Sequence, residues 1–229
     1  MTSGPVKDMM RARRAMVESQ LRSGGIADER VLAAMGEVPR EEFVPRRVRR
    51  NAYADGALPI GHGQTISQPW VVAAICAALE LSGGERVLEV GGGSGYSTAV
   101  IASLVRPGGT VRSYELVPEL AERAAQTLAR LGYAEADVLA GDGAVKNDGK
   151  WDAIAVHAAT PQVPGALVGS LLPGGRLVLP LATNRADVLT AFRRIDDGSV
   201  GEPRVERRKI AECRFVPLLG ESGYASPDR

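Results

Sequence analysis

The chain has 229 residues, 45% hydrophobic and 24% charged, with a formal net charge of +1. That length suits one domain with a small appendage, and the near-neutral balance argues against bulk binding to nucleic acid or an anionic membrane. The two cysteines, Cys76 and Cys213, stand far apart, so a disulfide framework and a zinc site both lack support and no metal is expected.

No signal peptide and no apolar run of membrane-spanning length stands out, which makes a soluble cytoplasmic protein the default expectation. From about Asp8 to Leu21, Met9, Ala12, Met16 and Leu21 predict a helix, stopped by Ser23-Gly24-Gly25. Asp28 can cap a second helix carrying Val31, Leu32 and Met35. Arg46, Arg47, Arg49 and Arg50 form a basic cluster, read as a solvated helical face. From Asp55 to Gln68, three glycines and Pro59 predict a loop without regular structure, and its apolar content marks it as functional. A helix follows over about 68–81, with Ser67 as N-cap and Pro69 in its first turn.

Strands and helices then alternate. Strands are predicted at about 86–90, 110–115, 136–140, 152–156 and 175–180, and helices at about 95–105, 117–131 and 163–171. Such alternation specifies a doubly wound, mostly parallel α/β sheet covered on both faces. Two last apolar runs, about 187–195 and 205–218, flank Asp196-Asp197-Gly198-Ser199, a turn signal that predicts a C-terminal antiparallel hairpin. The expected organisation is an N-terminal helical region with a substrate loop (1–81) packed on the core, an α/β core (82–220) and a mobile tail (221–229).

The first core strand breaks into Gly91, Gly93 and Gly95 ahead of a helical pattern. Strand, glycine turn and helix open a nucleotide-binding βαβ unit, since glycine permits positive φ and a close ligand approach. The dinucleotide fingerprint places its third glycine where this chain has Tyr96. Gly-x-Gly-x-Gly with Glu89 ahead of it instead resembles the first motif of class I S-adenosylmethionine methyltransferases. Glu115 closes the next predicted strand, where a carboxylate can accept both ribose hydroxyls.

The wider sequence resembles the protein-L-isoaspartate O-methyltransferases. The resemblance rests on Val38-Pro39-Arg40-Glu41, Phe43-Val44-Pro45, Leu58-Pro59-Ile60-Gly61 and above all Gly63-Gln64-Thr65-Ile66-Ser67-Gln68-Pro69. Gly141-Asp142-Gly143, Asp152-Ala153-Ile154, Gly174 to Val178 and Arg214 to Leu218 continue it, so that it spans about 20–220.

That family likeness implies methyl transfer from S-adenosylmethionine to the side-chain carboxylate of L-isoaspartyl residues in damaged proteins and peptides. The ester then closes to a succinimide, whose hydrolysis returns some normal aspartate. A carboxylate is already a nucleophile at pH 7, so no strong general base is needed. The resemblance makes Gly91, Gly93 and Gly95 the cofactor turn, with Glu89 ordering it. It puts Glu115 on the ribose, Asp142 by the adenine, and the hydroxyl of Ser67 on the acceptor carboxylate. Ile60, Thr65, His157 and Arg214 are the implied substrate-side residues.

Three departures stand out: Gly92 and His157 replace the family's usual threonines, and 144–151 lacks its Gly-Trp-Pro-like insert. They keep open a dedicated peptide acceptor, as in natural-product maturation. An NAD(P)-dependent oxidoreductase is disfavoured by Tyr96, and a non-catalytic S-adenosylmethionine-binding module by Ser67. The implied partners are isoaspartyl proteins or peptides, with no nucleic acid or membrane, met by a monomer.

Overall fold

The computed structural model describes residues 5–146, 148–195 and 203–225. It starts with α1 (Pro5–Met16), which continues into a π-helical turn, Val17–Arg22, and then α2 (Glu29–Glu37). Asp28 caps α2, accepting from the N–H groups of Arg30 and Val31 at 2.9 and 3.1 Å and so satisfying two donors that a helix start leaves open. Two short 3-10 turns, Arg40–Glu42 and Arg46–Asn51, lead to β1 (Leu58–Gly61) and β2 (Gln64–Ile66).

These two strands correct the expectation of an irregular 55–68 loop. They pair antiparallel, Leu58 with Ile66 and Pro59 with Thr65, and Gly61, His62 and Gly63, all at positive φ, turn the chain between them. Pro59 is tolerated because a two-stranded ribbon is edge throughout. The next helix, α3, runs over Pro69–Leu79 with Gln68 as its N-cap, so the expected Ser67 cap does not form. Pro69 explains the shift: a residue before proline is pushed out of the helical region, and Gln68 is extended at φ −49, ψ 140.

The core carries β3 (Arg86–Val90), α4 (Tyr96–Leu104), β4 (Thr110–Glu115), α5 (Pro118–Leu131) and β5 (Ala136–Ala140). It continues through β6 (Trp151–Val156), α6 (Gly165–Ser170), β7 (Leu171–Ala182), β8 (Asp187–Arg194) and β9 (Val205–Cys213). The sheet order is β5-β4-β3-β6-β7-β8-β9. The first five strands run parallel, and β8 and β9 are antiparallel to their neighbours. The expected doubly wound sheet with a C-terminal antiparallel pair is therefore present; the turn expected at 196–199 lies outside the described residues. β9 ends at Cys213, short of the predicted 218, and the chain leaves it to pair Pro217 with Ala159.

Alternate residues explain why the sheet is covered on both faces. Val87, Ala153 and Ala155 pack with α3, α4 and the N-terminal helices, whereas Leu88, Val90, Ile154 and Val156 pack with Leu167 and Phe192. All seven strand residues are buried, the pattern expected of central parallel strands. The N-terminal elements share the first of these cores with the sheet. Residues 221–225 of the expected tail fold back, the Tyr224 N–H donating to the Leu218 carbonyl at 2.7 Å.

Strand order reverses between β3 and β6, which both neighbour in space and head opposite halves of the sheet. The His157 N–H donates to the Val90 carbonyl at 2.9 Å, stitching the two strand ends together. Open α/β sheets bind their ligands beyond the carboxyl ends at such a reversal.

Candidate active site

The turn after β3 is shaped by its own backbone. The N–H groups of Gly91 and Gly92 donate to the Tyr114 carbonyl at 2.8 and 3.2 Å, tying the turn to β4. Gly91, Gly93 and Gly95 all have positive φ, but their surroundings differ. A Cβ on Gly91 would meet His157 at ordinary contact, whereas one on Gly95 would lie 3.1 Å from Ala124 Cβ. Gly91 and Gly93 line an open cleft. Gly95 does not; it lets α5 approach the start of α4.

Acidic residues fix this turn from two sides. The buried Glu115 carboxylate accepts from the Gly93 N–H at 2.8 Å and the Val117 N–H at 2.9 Å. Burial pushes its carboxyl above the usual range, against those hydrogen bonds. Glu89, fully buried beneath the turn, accepts from Thr98 Oγ1 at 2.5 Å and Ser113 Oγ at 2.6 Å. Its other oxygen lies 3.1 Å from His157 Nε2, and neither atom makes a hydrogen bond. Burial alone would raise the Glu89 carboxyl, but His157 and Ser113 outweigh it and hold it below the usual range. Glu89 does not reach the cleft; it orders the floor.

Asp142, on the cleft wall, accepts from the Ala144 N–H at 2.9 Å in an Asx-type turn. Val216 to Leu219 and Gln64 to Ser67 form opposite walls. A second cavity of about 1000 Å³ opens beyond them between the start of α3 and the segment after β9, with Trp70, Arg214 and Phe215 on its walls. Thr65, Ser67, His157 and Val216 line both spaces. The two cavities meet there.

Most of the predicted residues thus converge. Gly91, Gly93, Glu115 and Asp142 line the first cleft, Arg214 the second cavity, and Thr65, Ser67 and His157 their junction. Ile60 does not join them. Its side chain is buried beneath Gly93, 3.5 Å from where a Cβ there would stand, and its carbonyl accepts from Arg123 at 2.9 Å. Ser113, Thr98 and Arg40 went unnoticed as site residues. A hydroxyl inside the buried run of β4 was a signal for Ser113, since buried polar groups need partners. Arg40 is wholly buried, donates to the carbonyls of Ala52 and Ser67 at 2.7 and 2.6 Å, and lies 4.8 Å from the Tyr96 ring centre.

The donor set fits S-adenosylmethionine. The cleft has a bare glycine floor for a methionine moiety, a carboxylate at the tip of the second strand for a ribose, and a carboxylate in the Gly-Asp-Gly turn for an adenine amine. Among the described residues, no group of His, Cys, Asp and Glu is arranged to hold a metal ion.

Comparison with known proteins agrees. Relatives named protein-L-isoaspartate O-methyltransferase include one from Aeropyrum pernix, 47% identical over 93% of this chain and 81% of its own length. Another, from Rhodopseudomonas palustris, is 46% identical over 93% of this chain and 85% of its own. A solved structure of a protein-L-isoaspartate O-methyltransferase superposes with a TM-score of 0.80 at 30% identity, covering 92% of this chain and 67% of that one. A Plasmodium falciparum protein crystallised with S-adenosyl-L-homocysteine shares the fold, with a TM-score of 0.78, 24% identity, and coverage of 90% and 98%. The model of the protein-L-isoaspartate(D-aspartate) O-methyltransferase family matches residues 11–223, and the chain belongs to that family.

Proposed function

We propose that the two cavities divide the family's reaction between them in this chain. The protein is an S-adenosylmethionine-dependent methyltransferase acting on the side-chain carboxylate of L-isoaspartyl residues in damaged proteins and peptides. The observation that carries the division of labour is the junction: Thr65, Ser67, His157 and Val216 face both spaces. A methyl group and a carboxylate entering from opposite sides would meet there.

Each residue's task follows from its place. Glu115 would accept from the ribose hydroxyls, with its orientation set by the Gly93 and Val117 N–H groups. Asp142 would accept from the adenine amine, and the bare backbone at Gly91 and Gly93 would let the methionine end lie close. When bound, S-adenosylmethionine supplies a methyl group on a sulfonium, and its electron pair stays with sulfur as carbon bonds to oxygen. The acceptor is already ionised, so the protein need only hold its oxygen in line and keep water out. Ser67 would donate to that carboxylate, and Arg40, fastened to the Ser67 carbonyl, would fix where the hydroxyl sits. Arg214, on the exposed wall of the second cavity, would meet the peptide. All these groups come from one chain, which supports a monomer as the working unit.

Two peptides differing only in isoaspartate versus aspartate test the reading, with labelled S-adenosylmethionine and a count of base-labile ester. Labelling of the isoaspartyl peptide alone is expected. Binding of the cofactor with labelling of neither peptide would move the acceptor to a dedicated sequence.

A further inference from the structure

His157 follows β6 and sits at the junction, and it is the one group there able to carry positive charge. Thr65 and Ser67 offer hydroxyls and Val216 none, while Arg214 lines only the outer cavity and is exposed. The His157 side chain is 5% exposed and its Nε2 faces the Glu89 carboxylate at 3.1 Å. A proton on Nε2 therefore faces a fixed negative charge. In the neutral ring with that proton, the other nitrogen is a lone pair, which repels an arriving carboxylate; in the imidazolium it is a donor.

Charge balance decides between the two forms. Glu89 is one buried negative charge, the acceptor brings a second, and the sulfonium supplies one positive. A protonated His157 offsets one of the two negative charges that flank it. A neutral ring leaves the acceptor carboxylate close to Glu89 with no protein cation between them in a poorly solvated place, which is costly. The other ionisable groups facing the ring's surroundings are Glu115, Asp142, Tyr96 and Tyr114 in the cofactor cleft and Glu212, Cys213 and Arg214 in the outer cavity. Glu212 and Arg214 are both exposed and opposite in sign.

Resting on the functional reading above, we propose that His157, close beside the Glu89 carboxylate, is a specificity-determining residue whose protonated ring donates a hydrogen bond to the acceptor carboxylate. No proton passes in the methyl transfer itself; the imidazole keeps its proton while the carboxylate oxygen gains the methyl group. The acceptors favoured are therefore anionic ones, met by the ring in its charged form.

The test compares wild type with His157→Gln and His157→Thr on an isoaspartyl peptide between about pH 5 and 8, where an imidazole changes charge. Wild-type kcat/KM is expected to fall as pH rises and the variants' to stay flat. At the acid end the variants' acceptor KM should be raised roughly tenfold, as for a lost charge-assisted hydrogen bond, with S-adenosylhomocysteine affinity within about twofold. Calorimetry on the wild type needs no variant to fold: acceptor peptide binding to the S-adenosylhomocysteine complex, in two buffers of different ionisation heat, should show proton uptake at the alkaline end. Methyl transfer with the same pH profile in wild type and variants, or binding without proton uptake, would overturn the proposal. No methyl transfer by the wild type at any pH would sink the functional reading itself, and the proposal with it.

Discussion

Ser113 Oγ occupies the space that a side chain on residue 92 would need. A Cβ built on Gly92 lies 2.2 Å from that oxygen and 3.2 Å from Glu89 Oε2, so the glycine and the serine are a matched pair. The hydroxyl that anchors Glu89 is delivered from β4, and the turn must stay bare to receive it. Gly92→Ala should destabilise the protein by about 1–3 kcal/mol, through overpacking and a disturbed Glu89 bond. Adding Ser113→Ala should recover part of that loss. A double-mutant cycle from urea midpoints would measure the coupling, and strictly additive effects would refute the pairing.

Glu89 anchors the floor as a charge. Glu89→Gln should cost about 1–3 kcal/mol, as expected when a buried charge loses part of its hydrogen bonding to Thr98 and Ser113. Its carboxyl is held below the usual range in the fold, so the stability it confers is present above the ordinary carboxylate range and is lost as pH falls through the lowered value. Stability curves of wild type and Glu89→Gln should accordingly converge on acidification. Parallel curves would show that Glu89 contributes no pH-dependent stability.

For Glu115 the sign is opposite. Burial holds its carboxyl above the usual range, so it gains a proton earlier on acidification than an exposed glutamate. S-adenosylmethionine affinity should begin to weaken at that higher pH. Glu115→Gln should weaken it at least roughly tenfold at neutral pH, the worth of hydrogen bonds to a charged group, with little change in acceptor KM. Calorimetric titration across pH reads both effects.

Gly95 separates stability from binding within one motif. Gly95→Ala places a Cβ at positive φ and 3.1 Å from Ala124 Cβ, and should cost about 1–3 kcal/mol. Because Gly95 does not line the cleft, cofactor affinity of the folded variant should change by no more than a few-fold. Thermal melts and binding on one preparation decide it.

The parallel core was legible because strand and helix patterns alternate along the chain, which needs only local order to recognise. Residues 86–90, 110–115 and 136–140 form strands over those same spans. The β1–β2 hairpin was hidden because its composition reads as loop; only the positive φ of Gly61, His62 and Gly63 turns it into a ribbon. Ser67 stood next to a helix in the sequence, yet Pro69 sets the boundary one residue further on. Ile60 shows the limit of a motif, which names a residue but not the direction of its side chain. Arg40 was legible only as a member of a motif, since its partners lie 12 and 27 residues away and meet it only in the folded chain.

That buried arginine sets how the protein can be divided. One guanidinium reaches the Ser67 carbonyl on the acceptor side and stacks near Tyr96, the first residue of the helix behind the glycine turn. The segment supplying it precedes the whole α/β sheet. A fragment starting at β3 would keep every cofactor carboxylate and lose the post on which the acceptor wall is hung. The N-terminal third is thus tied into the α/β sheet through Arg40, and exchanging it between relatives would have to carry Arg40, Ser67 and Tyr96 as one unit.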